Sequence, residues 1–281
     1  MRLLRYGEPG QERPGCLDSA GGIRDLSSVV DDIDSSTLSL RGLAKLRNLD
    51  VESLPKVTGK PRIGAPVVGV SKMICVGLNY TDHAAESGLE IPKWPVIFMK
   101  ATTAIVGAYD DIVIPSGAEK TDWEVELGVV IGETARNVPR DKVYDHIAGY
   151  LVVNDVSERQ FQFDYGGQWV KGKSCDTFGP IGPWLVTRDE VPNVSSLSMW
   201  LTVNGRSFQN GNTNSMVFDV TYLISHISRF MTLLPGDLVS TGTPAGVGLG
   251  QKPPVYLSPG DVVESGIEGL GWQRQHVIAH P

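Results

Sequence analysis

Glu124 and Glu126 stand two residues apart in the run Asp122-Trp123-Glu124-Val125-Glu126-Leu127-Gly128-Val129-Val130-Ile131. On a strand, that spacing puts both carboxylates on one face and Val125, Leu127 and Val129 on the other. Like charges so close repel unless a cation lies between them, although a solvated strand face can also carry such a pair. A second apolar run, Gly149 to Val153, continues into Asn154 and Asp155. A buried strand there would deliver a third carboxylate at its end. Glu124, Glu126 and Asp155 together make a hard oxygen donor set suited to Mg²⁺, Mn²⁺ or Ca²⁺ rather than Zn²⁺.

Three further stretches carry usable chemistry. In Thr81-Asp82-His83-Ala84-Ala85-Glu86 a short helix would bring His83 and Glu86 together at i, i+3, and a carboxylate-oriented imidazole is a general base for water. A surface His–Glu contact has the same spacing. Lys173 lies in a Gly-rich, aromatic-flanked stretch, where partial burial would aim its ammonium at a carboxylate or carbonyl. Ser240-Thr241-Gly242-Thr243-Pro244 follows a strand and offers hydroxyls and free amides to an anion, or else makes a tight turn.

Two motifs mislead. Residues 167–174 satisfy the phosphate-loop pattern G-x-x-x-x-G-K-[ST], but Gly179-Pro180-Ile181-Gly182-Pro183 follows and cannot extend the helix such a loop requires. Gly246-Val247-Gly248-Leu249-Gly250 lacks dinucleotide spacing and runs into Pro253-Pro254.

The elements that position these residues are mostly short. With 32 Gly and 18 Pro punctuating the apolar runs, the pattern predicts many strands and few helices. Strands are expected at 73–76, 96–99, 112–114, 124–131, 149–154, 184–186, 199–203, 237–240 and 262–267, and helices at 36–49, 81–87 and 219–234. Residues 55–70, rich in Pro and Gly, read as a linker. A small N-terminal domain with its linker (1–68) would then precede a catalytic, metal-binding domain (69–281).

The chain of 281 residues is 41% hydrophobic and 20% charged, an ordinary globular composition with net charge −7. It has no basic footprint, so neither nucleic acid nor an anionic membrane is an expected partner. No apolar run approaches a bilayer span, and the N-terminus lacks the apolar core of a signal peptide. Cys16, Cys75 and Cys175 are odd in number and unpaired in spacing, which suits a reducing, cytoplasmic location. His226 flanks the stripe of its helix and reads as structural, His146 shows no metal spacing, and His276 and His280 fall in a C-terminal segment expected to be mobile.

In sum and in order, the quoted elements resemble the fumarylacetoacetate hydrolase family from about residue 70 onward. The carriers are Gly77-Leu78-Asn79-Tyr80-x-Asp82-His83, Phe98-Met99-Lys100, Asp122-Trp123-Glu124-x-Glu126, Asn154-Asp155-Val156-Ser157-x-Arg159, Lys171-Gly172-Lys173-Ser174, Thr241-Gly242-Thr243-Pro244 and Gly266-Ile267-Glu268-Gly269-Leu270-Gly271. Leu78 and Cys175 depart from residues common in the family.

The resemblance implies an α+β, mainly β fold, a mixed β-sandwich roll that is usually a homodimer. It implies one Mg²⁺ (or Mn²⁺) per subunit on Glu124, Glu126 and Asp155. His83–Glu86 would be a water-activating dyad on a lid, Lys173 the polarising cation, and Arg159, Gln162 and Thr243 substrate contacts.

The implied activity is hydrolysis of a C–C bond in a small-molecule 2,4-diketo acid. Within the family the chain looks like hydrolases of 2,4-diketo-3-deoxy-L-rhamnonate or -fuconate, which release pyruvate and lactate. Oxaloacetate-type decarboxylation or 2-hydroxy-diene-dioate isomerisation on the same metal is the alternative, and a metal-dependent small-acid binding protein is the non-enzymatic one.

Overall fold

The computed structural model describes residues 1–86, 88 and 90–280. Two sheets carry the fold, which is α+β and mainly β as expected. Across the larger sheet the strands run Ile23–Asp25, Arg13–Leu17, Arg2–Tyr6, Gly179–Thr187, Ile147–Asn154, Val125–Ile131, Leu238–Ser240, Met73–Gly77 and Val96–Lys100. Ile63–Gly64 and Ile105–Gly107 attach to its flank. The smaller sheet orders Arg206–Asn212, Ser198–Val203, Val262–Ile267, Gly271–Ala279 and Ile112–Ile114.

Alternation along the inner strands builds two cores. Val125, Leu127 and Val129 pack with Tyr150, Val152, Met199, Leu201, Val263 and Val277, so this face meets the smaller sheet. Val130, Leu151 and Val153 point the other way, onto Leu3, Leu38, Leu43 and Leu46. All seven residues of Val125–Ile131 are buried, which excludes a solvated strand face.

Several expectations need correction. The strand expected at 184–186 is longer, Gly179–Thr187, and runs through Pro180 and Pro183. The helix expected at 36–49 is two helices, Ser35–Leu38 and Leu40–Arg47, because Ser39 leaves helical geometry to cap the second through its side chain. That expected at 219–234 stops at Ile227, where a series of turns follows. Thr81–Glu86 is helical, and Ser87 lies outside the described residues.

Residues 55–60 are largely exposed, but 61–68 pack onto the body: Ile63–Gly64 pairs with Arg5 and Tyr6, and Val67 sits in the second core. The sheet also crosses the expected boundary near residue 68 without a break, since Arg2 and Leu3 pair with Val186 and Leu185. The C-terminal segment is the strand Gly271–Ala279, held between two others. Its alternating burial makes His276 a surface residue of a sheet rather than part of a tail. Among the described residues, no helix is long and apolar enough to cross a membrane.

Candidate functional site

A backbone clasp brings two of the carboxylates together. Val125 pairs with Asn154 at the end of both strands, and the Asp155 amide donates to the Glu124 carbonyl at 2.8 Å. The Asn154 carboxamide also accepts from the Glu124 amide at 3.2 Å. Glu124 thus lies immediately before its strand, not within it, yet its position is set. Glu126 projects from the face opposite Val125 and Leu127, where the Ser240 hydroxyl (2.6 Å) and the Gly242 amide (2.9 Å) donate to its Oε2. All three residues are buried, and one ligand oxygen from each lies within 4.8 Å of the others.

Three buried cations press against this group. Lys173 Nζ donates to Glu124 Oε2 at 2.7 Å and to Asp155 Oδ2 at 2.9 Å. It occupies the last position of the short helix Val170–Lys173, which lies close because Gly172 has no side chain; a Cβ there would be 2.3 Å from the Glu158 carbonyl. Lys100, at the end of the outermost strand, pairs with the other Asp155 oxygen and with the Val156 carbonyl. Arg159 Nη2 reaches Glu124 Oε1 at 2.6 Å, and its Nε and Nη2 both bond Asp122 Oδ2 at 2.8 Å.

The electrostatics follow from this crowding. Burial alone would raise the Glu124 carboxyl, but Lys173 and Arg159 outweigh it and hold the group far below the usual carboxylate range. Burial, then the charges of Asp155 and Glu124, push Glu126 well above that range. Burial would lower Lys173, but Asp155 and Glu124 overcome it and keep the ammonium protonated.

The residues present fit a divalent cation. Counted as ionised, the four carboxylates Asp122, Glu124, Glu126 and Asp155 clustered here exceed the three cations pressed against them by one charge. Burial and the Asp155 and Glu124 charges hold the Glu126 carboxyl above its ordinary range, a cost that a cation between them would relieve, and an oxygen-only donor set suits Mg²⁺ or Mn²⁺.

A cavity of about 400 Å³ opens over this group. His83, Glu86, Glu124, Glu126, Lys173 and Arg159 all line it, as do Gln162 and Thr243. Asp155 lies beneath the wall, between the two lysines. His83 Nδ1 is 3.4 Å from Glu86 Oε2, and the Gly246 amide donates to both Glu86 oxygens at 3.0 and 3.1 Å. Arg159 Nη1 donates to Gln162 Oε1 at 3.1 Å. The Thr243 hydroxyl is engaged by the Val125 carbonyl and the Gln209 amide, so it is already satisfied by protein. Aromatic side chains close one side: Trp169 packs edge-on against Phe98 and Phe163, and its ring fills the place of a Gly77 side chain.

Every site residue expected from the sequence is therefore in one place. The phosphate-loop pattern is not a nucleotide site: its helix ends at Lys173, where such a loop needs one to begin, and strand Gly179–Thr187 follows. Lys100 and Asp122 stand in motifs quoted from the sequence, but sequence reasoning gave neither a role at the site. Lys100 ends an apolar strand, as surface lysines commonly do, and its partner Asp155 is distant in the chain. Asp122 carried a visible signal in its place before Trp123-Glu124, yet its partners lie in loops far along the sequence.

This geometry accords with the comparisons to known proteins. Residues 72–278 match the family described as Fumarylacetoacetate (FAA) hydrolase C-terminal, and the chain belongs to it. The fold is that of the family's metal-dependent hydrolases and isomerases. A relative from Burkholderia multivorans, whose name goes no further than hydrolase, is 60% identical over 276 residues, 98% of each chain. Among solved structures, a fumarylacetoacetate hydrolase from psychrophilic Exiguobacterium antarcticum superposes with TM-score 0.89 at 36% identity, covering 100% of both chains. A 2-hydroxyhepta-2,4-diene-1,7-dioate isomerase from Mycobacterium marinum gives 0.76 at 34%, covering 99% of this chain and 98% of that one. A maleylpyruvate hydrolase from Sphingobium sp. SYK-6, in complex with manganese(II) and pyruvate, gives 0.83 at 28%, covering 100% of both.

Proposed function

We propose that this protein hydrolyses a C–C bond in a 2,4-diketo acid, releasing pyruvate and a second carboxylic acid. The observation that carries this reading is the His83–Glu86 pair on the wall of the cavity that holds the three carboxylates. An isomerase or decarboxylase has no need of a base for water, and a mere binder of acids has no need of Lys173 held protonated.

A divalent cation on Glu124, Glu126 and Asp155, Mg²⁺ or Mn²⁺, would supply Lewis-acid polarisation of the substrate's keto oxygens. His83, its Nδ1 turned to Glu86, takes a proton from water at Nε2, and the hydroxide adds to the distal carbonyl carbon. Lys173 donates to the oxygen of the departing pyruvate enolate as the C3–C4 bond breaks. The proton held on His83 is then available for C3 of that enolate. Gln162, whose Oε1 is spent on Arg159, keeps its amide N–H groups for the substrate, and Arg159 and Thr243 shape the same wall. Residues 69–281 carry all of these groups, and residues 1–68 buttress the sheet beneath them. A homodimer in the cytoplasm completes the reading.

The test is pyruvate release from acylpyruvates and the 2,4-diketo-3-deoxy sugar acids of rhamnonate and fuconate, and acetoacetate release from fumarylacetoacetate as a contrast, with Mg²⁺ or Mn²⁺ and again with EDTA. Metal-dependent pyruvate from any of these supports the reaction, and the preferred member identifies the distal group. His83→Ala should lower that rate by about 10²–10⁴-fold, the usual worth of general-base catalysis. If instead oxaloacetate loses CO₂ and His83→Ala leaves that rate intact, the hydrolytic reading is wrong.

A further inference from the structure

The glycines of Gly246-Val247-Gly248-Leu249-Gly250, which bind no dinucleotide, have another use. Each permits a separate close approach. The Gly246 amide holds both oxygens of Glu86, and a side chain at Gly246 would lie 1.9 Å from the Phe208 carbonyl. A Cβ at Gly250 would be 2.3 Å from the Glu86 carboxyl carbon. Between them, the Gly248 amide donates to Asp122 Oδ1 at 2.6 Å and the Leu249 amide to Asp122 Oδ2 at 2.9 Å. A Cβ at Gly248 would be 2.8 Å from that same Oδ1.

One side of the loop therefore grips the Thr81–Glu86 helix, and the other grips Asp122. Asp122 in turn holds Arg159 through two nitrogens, and Arg159 holds Glu124. An unbroken series of contacts runs from Glu124 through Arg159, Asp122 and the loop to Glu86 and His83. If Arg159 needed only a counter-ion, Glu124 would serve. A wholly buried carboxylate that also takes two loop amides makes the loop's conformation depend on where Arg159 sits.

We propose that Asp122 is a positioning residue that couples the seating of Arg159 against Glu124 to the closing of the His83–Glu86 helix over the cavity. This rests on the function proposed above. Coupling of this kind is reciprocal: a ligand that orders Arg159 tightens the helix, and loosening the helix weakens that ligand.

Asp122→Asn is nearly isosteric but keeps one acceptor oxygen, so it can hold one of the two loop amides and meets the other, or the guanidinium, with N–H groups and without charge. Hydrogen exchange is the readout. Without ligand, amides at 81–86 and 246–249 should exchange about tenfold faster in Asp122→Asn than in the natural protein, because local opening has become cheaper. With Mg²⁺ and oxalate, a mimic of the keto-acid head, the natural protein should gain protection at 81–86 and Asp122→Asn should gain little.

Gly250→Ala tests the reverse direction. It pushes on Glu86 and should weaken oxalate several-fold, and its effect should not add to that of Asp122→Asn. Unchanged exchange at 81–86 in Asp122→Asn overturns the proposal, as do additive effects of the two variants. Should oxalate fail to bind the natural protein, the reading of the site fails, while the ligand-free exchange comparison still decides the role of Asp122.

Discussion

Glu124 and Asp155 are joined through their backbones before their side chains meet: the Asp155 amide donates to the Glu124 carbonyl at 2.8 Å. Two ends of adjacent strands thereby hold two carboxylates at fixed separation. Only Glu126, two residues along, depends on a third strand and its loop, through Ser240 and Gly242. The three carboxylates are thus not equivalent, and their substitutions should differ.

Glu126→Gln removes the buried negative charge that burial and the neighbouring Asp155 and Glu124 carboxylates disfavour. Its thermal stability in EDTA should match that of the natural protein. A cation at a hundred times its Kd stabilises a fold by about 2.7 kcal/mol. The natural protein should therefore melt on the order of 5 °C higher in Mg²⁺ than in EDTA, given its size. That rise should vanish in Glu126→Gln. Melting curves with and without metal check both statements.

Lys173→Met removes the cation between Glu124 and Asp155. Breaking a buried ion pair on one side costs about 3–5 kcal/mol, because the partners are left buried and unpaired. In EDTA the variant should lose stability of that order. Added Mg²⁺ should restore more of it than the same metal adds to the natural protein, since two carboxylates then need the charge. Denaturant titrations in both conditions separate these effects.

Gly172→Ala should disturb the site without touching a charge. Its Cβ would meet the Glu158 carbonyl at 2.3 Å and the Gln162 amide at 2.6 Å, both backbone atoms. Overpacking of this kind costs about 1–3 kcal/mol. The helix must retreat and carry Lys173 with it, so turnover should fall by more than the folded fraction does. Activity normalised to the folded population measures the difference.

The thiols give a pH-dependent test. Burial raises the Cys16 thiol from 9 up to about 11, and burial also raises the partly exposed Cys175. Because the folded state holds the Cys16 proton longer than the unfolded chain does, stability falls as pH climbs from about 9 to 11. At pH 8, iodoacetamide should label Cys175 first and leave Cys16 and Cys75 intact until the protein unfolds. Peptide mapping of alkylated sites reads this directly.

The carboxylates were legible in the sequence because their signals are local: an i, i+2 pair on a strand, and an acid where an apolar run stops. His83 and Glu86 were legible for the same reason. Lys100 was not, because only the order of strands brings it to Asp155. The spacing in residues 246–250 argued against a dinucleotide loop, but the close approaches that require its glycines are made by Asp122, Phe208 and Glu86, from three distant segments. The packed course of residues 61–68 was hidden for a similar reason: Pro and Gly mark irregular backbone without saying whether it is covered. At Ser39 a local cap outweighed the apolar periodicity that suggested one continuous helix.

Strand order also has a consequence for synthesis. Val125–Ile131 and Ile147–Asn154 form a near-neighbour pair that can assemble once residue 154 has left the ribosome. Arg2–Tyr6 can pair with Arg13–Leu17 just as early, but its other edge waits for Gly179–Thr187, and Leu238–Ser240 enters between Val125–Ile131 and Met73–Gly77 later still. The large sheet thus stays divided until these distant strands arrive, and long-range pairings of this kind slow folding. The Glu126 clasp needs Ser240 and Gly242, so a nascent chain carries its acidic centre half-assembled until residues 240–242 have left the ribosome.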